Sequence, residues 1–419
     1  MRQLVPRLFV TALALTACQS STDSPRGGAV PPAITALPRA LSVGESELVT
    51  ATNRFAPSLL AHVNASRADE NVFLSPLSAS MALGMTMNGA AGATRDEMQA
   101  ALGFGTTSQE AILASYRDLI SLLRTLDPKV DFRIANSIWY RSTFAPAIAP
   151  TFLAEAKQYF DATSQGLDFA NPASLAIVND WVKTSTDGKI PTIVNALPDD
   201  LVMLLVNAIY FKGDWRQAFD RSQTANAPFA TASGRAISVP MMHRTAMSRA
   251  GVVDGRTVVE LGYGGDAFVM TVILPREGES VNALVDSLGA TGWAFAQQLA
   301  TMEVELTLPR FSLSWEATLN APLQAMGMQR AFDGGAADFT RLAPEAGHDL
   351  YISFVKQKTF VDVNEIGTEA AAATGVGIGV VSLPQRMVVR VDRPFVFAIR
   401  ERLSGTVLFV GKIVQPPTS

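Results

Sequence analysis

Residues 364–384 read Asn-Glu-Ile-Gly-Thr-Glu-Ala-Ala-Ala-Ala-Thr-Gly-Val-Gly-Ile-Gly-Val-Val-Ser-Leu-Pro. Glycine and alanine give this stretch the composition of a loop. It also keeps a strict two-residue period. As a strand it would carry Thr368, Ala370, Ala372, Thr374, Val376, Ile378 and Val380 on one face. Glu369, Ala371, Ala373, Gly375, Gly377 and Gly379 would fall on the other. The first face is small to β-branched and uncharged, so it can be buried. A segment that is a loop in one state and a buried strand in another is a conformational switch. A plain Ala/Gly linker would not alternate in this way.

The remaining pattern supplies sheets and helices in blocks. Residues 45–65 read as a helix with an apolar stripe through Leu59, Leu60 and Val63, and His62 within it reads as a structural histidine. Ser75-Pro76 opens a second helix, with serine as N-cap and proline in the first turn. Met81 and Met85 lie on its face as core residues. Thr94-Arg-Asp-Glu97 has the form of a capping box for a third helix reaching Leu102. Further helices are expected over 108–126 and 172–185. Residues 201–211 form a nearly continuous apolar run, as in a strand covered on both faces. Strand patterns follow at 268–274, 302–313, 351–363, 387–391, 395–399 and 407–413. Helices first and strands later, with no βαβ alternation, argue α+β architecture with large mixed sheets. With 419 residues and 48% hydrophobic composition, a sizeable core is available.

The N-terminus reads as a targeting segment. Arg2 and Arg7 precede a short apolar run from Leu8 to Leu15, too short to span a bilayer. Leu15-Thr16-Ala17-Cys18 resembles a bacterial lipobox, which implies cleavage before Cys18 and lipidation of its thiol. An ordinary secretory signal is the alternative. Cys18 is the one cysteine of the chain, so an intrachain disulfide is impossible. The expected organisation is a signal peptide over 1–17, a lipidated Cys18 with a Ser/Pro/Gly-rich tether to residue 43, and one domain over 44–419. Two or three acyl chains would anchor it stably to a membrane. The expected location is the periplasmic or cell-surface side, with release to the extracellular space open as well.

The 364–384 stretch also carries a resemblance. Glu365-x-Gly367-Thr368-Glu369, four alanines (Ala370, Ala371, Ala372, Ala373) and Thr374 resemble the hinge of the serpin reactive-centre loop. Other landmarks of that family occur in order. They include Asn71-Val-Phe-Leu-Ser-Pro-Leu-Ser78, Asp96-Glu97-Met98, Asn179-x-Trp181, and Thr186-x-Gly188-Lys189-Ile190. Leu205-Val-Asn207-Ala-Ile-Tyr-Phe-Lys-Gly213-x-Trp215-x-x-x-Phe219, Met241-Met242 and Leu308-Pro-Arg-Phe311 follow. Met326-Gly-Met328, Ala337-Asp-Phe339, Arg393-Pro-Phe-Val-Phe397 and Leu408-Phe-Val-Gly-Lys412 complete the series. The resemblance spans roughly residues 45–416 and rests on their joint order. It implies a serpin-like fold with helices packed on large mixed sheets and a reactive-centre loop outside them.

It also implies a function: a protease attacks the loop as substrate, forms a covalent acyl complex, and is trapped as the cleaved loop enters the sheet. Counting from Glu365 places the reactive bond at Val381–Ser382, within one residue either way. Valine there suits the shallow apolar pocket of an elastase-like or subtilisin-like protease, whereas trypsin-like enzymes take a cation. The resemblance places Glu365 near Arg310 and Trp215 as a gate at the top of the sheet. A solvated surface pair is the plainer account of that contact. It places Ser75, Ser78 and Asn207 in a polar cluster where the sheet parts, with Gln357 where relatives often have histidine. Gln can donate and accept, but it brings no pH sensitivity.

Other classes are weakly supported. Net charge is −4 with no basic run, which argues against nucleic-acid partners. Three histidines without ligand spacing and one cysteine argue against a metal site, and no cofactor motif occurs. Gly375-x-Gly377-x-Gly379 is not a dinucleotide fingerprint. Ser353-Phe-Val-Lys356 matches the SxxK motif of serine acyl-transferases, but it falls in a strand pattern and no KTG follows. The chain is therefore expected to be a monomeric inhibitor without catalytic residues. A non-inhibitory binding protein of the same fold is the runner-up.

Overall fold

The computed structural model describes residues 32–291, 293, 298–368 and 386–417. Helices α1 (Val43–Asn64), α2 (Pro76–Asn88), α3 (Gly92–Ala101), α4 (Gln109–Thr125), α5 (Pro150–Phe160), α6 (Pro172–Ser185), α7 (Val281–Thr291) and α8 (Asn320–Ala325) pack around two sheets. The strands in chain order are β1 (Val72–Leu74), β2 (Val130–Arg141), β3 (Thr163–Leu167), β4 (Met203–Asp214) and β5 (Ala225–Ala230). Then come β6 (Ala236–Val253), β7 (Arg256–Gly262), β8 (Phe268–Leu274), β9 (Ala300–Pro309) and β10 (Phe311–Thr318). The last are β11 (Lys356–Val363), β12 (Gly367–Thr368), β13 (Arg386–Arg390), β14 (Phe395–Glu401) and β15 (Val407–Ile413).

Local chemistry sets the helix starts. In α1, Ser42 and Glu45 cap each other's backbone N–H groups. Ser75 caps α2 ahead of Pro76, and Ser108 caps α4. The expected capping box at Thr94 is not formed. Helix α3 starts at Gly92, and Thr94 lies inside it, where its hydroxyl accepts the Asp338 N–H at 2.9 Å. Glu97 likewise turns away from the helix and accepts the N–H groups of Gln329 and Arg330. Tertiary donors claim both side chains.

The nine-stranded sheet runs β1-β15-β14-β8-β7-β6-β9-β13, with β5 paired to β6. The six-stranded sheet runs β10-β11-β12-β4-β2-β3. Both are mixed: β9–β13 and β2–β3 pair in parallel within otherwise antiparallel ladders. The apolar run expected over 302–313 is two strands. It breaks at Arg310, whose N–H donates to Pro240 O, and its halves join different sheets. The strand expected over 351–363 begins only at Lys356, so Ser353 of the SxxK match lies outside any helix or strand. Lys356 is held by Glu316 at 2.8 Å. The 201–211 run is covered on both faces from Ala208 onward, while every second residue from Met203 to Asn207 is only half-buried. One large core includes Phe73, Phe397 and Phe409, which stack on one another beneath β1, β14 and β15. A smaller core under α6 gathers Trp139, Val178 and Val182.

Candidate functional site: the point where the sheet opens

The hinge enters the six-stranded sheet between β11 and β4. β12 pairs antiparallel with both, Thr368 opposite Val363 on one side and Gly213 on the other. Among the described residues, this two-residue strand alone lies between β11 and β4 in the strand order. Gly367 is required by the close approach. A Cβ there would lie 2.2 Å from the Gly213 carbonyl oxygen, which real side chains do not tolerate. Thr368 is buried, and its hydroxyl shares a 2.7 Å hydrogen bond with the Tyr263 hydroxyl. Burial also pushes the Tyr263 phenol well above its ordinary pKa, so it stays neutral.

The turn before β12 is gripped by the segment after β4. The Trp215 N–H donates to Ile366 O at 2.6 Å, and Trp215 Nε1 donates to Asn364 O at 2.8 Å. The Phe219 N–H donates to Glu365 O at 2.8 Å. Trp215 stacks on Tyr263 with ring centroids 4.4 Å apart, which ties this grip to the Thr368 contact. Glu365 is 3% exposed. Its Oε1 accepts the Thr224 hydroxyl at 2.9 Å and lies 3.8 Å from Arg310 Nη1. Glu365, Arg310 and Trp215 are thus brought together at one end of the sheet. Arg310 stands there because the chain crosses between sheets at that residue.

Lower down, β11 is tied to the corner between β1 and α2. The Ser75 N–H donates to Gln357 Oε1 at 3.1 Å, and Gln357 Nε2 donates back to Ser75 O at 2.8 Å. Ser75 Oγ accepts from the Ser78 N–H and donates to Leu408 O on β15. Thr359 Oγ1 donates to Phe73 O at 2.6 Å. Asn207 does not join this group. It donates to Asn136 Oδ1 at 2.6 Å, and its own Oδ1 is buried without a partner. A cleft of about 170 Å³, bordered by Ser78, Asn207 and Gln357, lies among them.

Sequence reading did not point to Tyr263, Thr224, Thr359 or Asn136. Each is an isolated polar residue whose partner is remote in sequence, and no local pattern marks it. Glu369, Ala370, Ala371, Ala372, Ala373, Thr374, Val381, Ser382 and Cys18 lie outside the described residues. Among the described residues, no group of three or more His, Cys, Asp or Glu side chains could hold a metal ion.

Comparison with known proteins agrees with this geometry. A family model described as Serpin (serine protease inhibitor) matches residues 50–416. The leukocyte elastase inhibitor of Sus scrofa is 34% identical over 386 residues, covering 88% of this chain and 100% of that protein. Iripin-2 of Ixodes ricinus is 34% identical over 378 residues, covering 88% and 94%. Among solved structures, the thermophilic serpin tengpin in its native state superposes with a TM-score of 0.80 at 28% identity, covering 91% of this chain and 96% of that one. Human thyroxine-binding globulin in complex with its ligand gives a TM-score of 0.78 at 28% identity, covering 90% and 100%.

Proposed function

The chain belongs to the serpin family, and on that premise we propose that it is a suicide-type inhibitor of serine proteases with elastase-like or subtilisin-like specificity. The observation that carries this reading is β12. A neutral threonine from the hinge already forms a ladder between β11 and β4, in the register that further residues would extend. In the proposed reaction the protease serine attacks the Val381 carbonyl carbon. The Val381–Ser382 amide breaks, the amine of Ser382 leaves with the proton, and the Val381 acyl group stays on the protease. The freed segment then lengthens β12 and carries the acyl-enzyme with it, before water can complete hydrolysis.

Insertion has a driving force. Roughly a dozen residues would gain ladder hydrogen bonds at about 0.5–1.5 kcal/mol net each. Burying Val376, Ile378 and Val380 would add about 1.5–3 kcal/mol apiece. The sum is on the order of 10 kcal/mol or more before ordering costs.

The specificity is supported by the branched residues before the bond and by relatives named leukocyte elastase inhibitors. We also infer that Cys18 is lipidated and tethers the exported protein to a membrane, on its periplasmic or cell-surface side. Incorporation of a labelled fatty acid that survives Cys18→Ser would overturn this. A second reading, a non-inhibitory binding protein, is favoured by the likeness to thyroxine-binding globulin. Mixing the purified protein with an elastase-like protease and running a denaturing gel separates the two. A covalent complex supports inhibition, and cleavage without a complex supports the binding protein.

A further inference from the structure

A second cavity, of about 520 Å³, opens beside the hinge and is bordered by Arg221, Thr224, Arg310, Ser312, Asp362 and Glu365. Its acids already have partners. Glu365 Oε1 accepts the Thr224 hydroxyl at 2.9 Å, and Asp362 Oδ2 accepts the Asn364 amide at 2.9 Å. Its guanidinium groups are largely unspent. Among the described residues, the one ion pair of Arg310 is its 3.8 Å approach to Glu365, beyond hydrogen-bond distance. Arg221 has no carboxylate partner among the described residues. The acid next to it, Asp220, is occupied by Ser222 and Gln223. Two forked donors therefore line one cavity with little to bond, and hydroxyls stand beside them. A guanidinium fork matches the geometry of phosphoryl and carboxylate oxygens.

We propose that this cavity binds a small polyvalent oxyanion, phosphoryl or carboxylate in class, between Arg221 and Arg310. The bound anion and Glu365 compete for the same guanidinium. The anion consequently binds best when Glu365 has let go of Arg310, and by linkage its binding loosens the hold on the turn ahead of β12. Trp215 and Phe219, which grip that turn through the carbonyls of Asn364, Ile366 and Glu365, would feel the change. The site is separate from the bait bond and would bind whether or not the chain traps a protease.

Isothermal titration calorimetry on the whole protein tests this, with pyrophosphate and citrate as separate probes and chloride matching the ionic strength. The expected result is saturable one-to-one binding of at least one probe, and which probe binds tells the phosphoryl from the carboxylate class. Arg221→Gln and Arg310→Gln should each weaken it about tenfold or more. Glu365→Gln should tighten it, because the competing charge is gone while the side chain's shape is kept. The absence of saturable binding with both probes overturns the proposal. So does binding that both arginine variants leave intact, or that Glu365→Gln fails to strengthen. No protease enters the measurement, so failure of this site and failure of the inhibitor reading are seen separately.

Discussion

Thr368 occupies a position that admits no charge. It is 3% exposed, its hydroxyl is spent on Tyr263, and β-strands flank it on both sides. Arginine there would bury an unpaired cation at a cost of several kcal/mol, about 2–7 even for a neutral polar group left unpaired. On the proposed trapping function, Thr368→Arg should convert the chain from an inhibitor into a substrate. The ratio of cleaved protein to covalent complex on a gel should rise steeply, and an unchanged ratio would count against insertion through this residue. The sequence already pointed to Thr368 through the two-residue period, and to Glu365 and Gly367 through the resemblance of the 365–374 stretch to a serpin hinge. Their partners Thr224 and Tyr263 were not legible, since only the fold brings them near. Lys412 makes a separate case. It is fully buried, with its ammonium donating to Asn64, Asn282 and the carbonyls of Arg67 and Ala68. Burial lowers its pKa from 10.5 to about 8. Between those values the unfolded chain holds the proton and the folded one releases it, so stability rises with pH across that window. Denaturant titrations at successive pH values from 7.5 to 10 should show the wild type gaining relative to Lys412→Met. A flat or falling difference would refute the assignment.

Elements were legible where their signals are local. Ser75-Pro76 and the apolar runs of β8 and β15 declare themselves within a few residues. β9 and β10 did not separate, because apolar alternation continues through Pro309-Arg310-Phe311 while the chain changes sheets. The long strand β6 was missed because its outward face is mostly polar or small and its pattern changes along 18 residues. The capping box at Thr94 failed because Asp338 offered its hydroxyl a better-placed donor. β11 is the element on which opening depends, since any further strand must pass beside it. Gln357 and Thr359 fasten it to the corner between β1 and α2. Thr359→Val keeps the shape but leaves the Phe73 carbonyl unpaired, at a cost of roughly 1–3 kcal/mol. The variant should show a lower thermal midpoint than wild type by circular dichroism. An equal or higher midpoint would mean that this hydrogen bond does not hold β11.

At the scale of the whole molecule, the two sheets have different roles. The nine-stranded sheet is joined by long ladders and packed by Phe73 against Phe397 and Phe409. In the six-stranded sheet a two-residue strand lies between two long ones, which is the geometry of a sheet prepared to accept more chain. The α+β class could be read from sequence because it depends on composition and spacing, and the family landmarks could be read because they resemble known motifs in the same order. The opening between β4 and β11 could not, because it is set by the packing of elements that lie far apart in the chain. Trapping a protease requires that this opening be filled faster than the acyl bond is hydrolysed. The most direct measurement mixes the purified protein with an elastase-like protease, resolves the products on a denaturing gel, and determines the mass of the released C-terminal peptide. The expected result is a stable complex at the summed mass and a peptide beginning at Ser382, or within one residue of it. Complete cleavage with no complex, or a peptide beginning far from that bond, would contradict it.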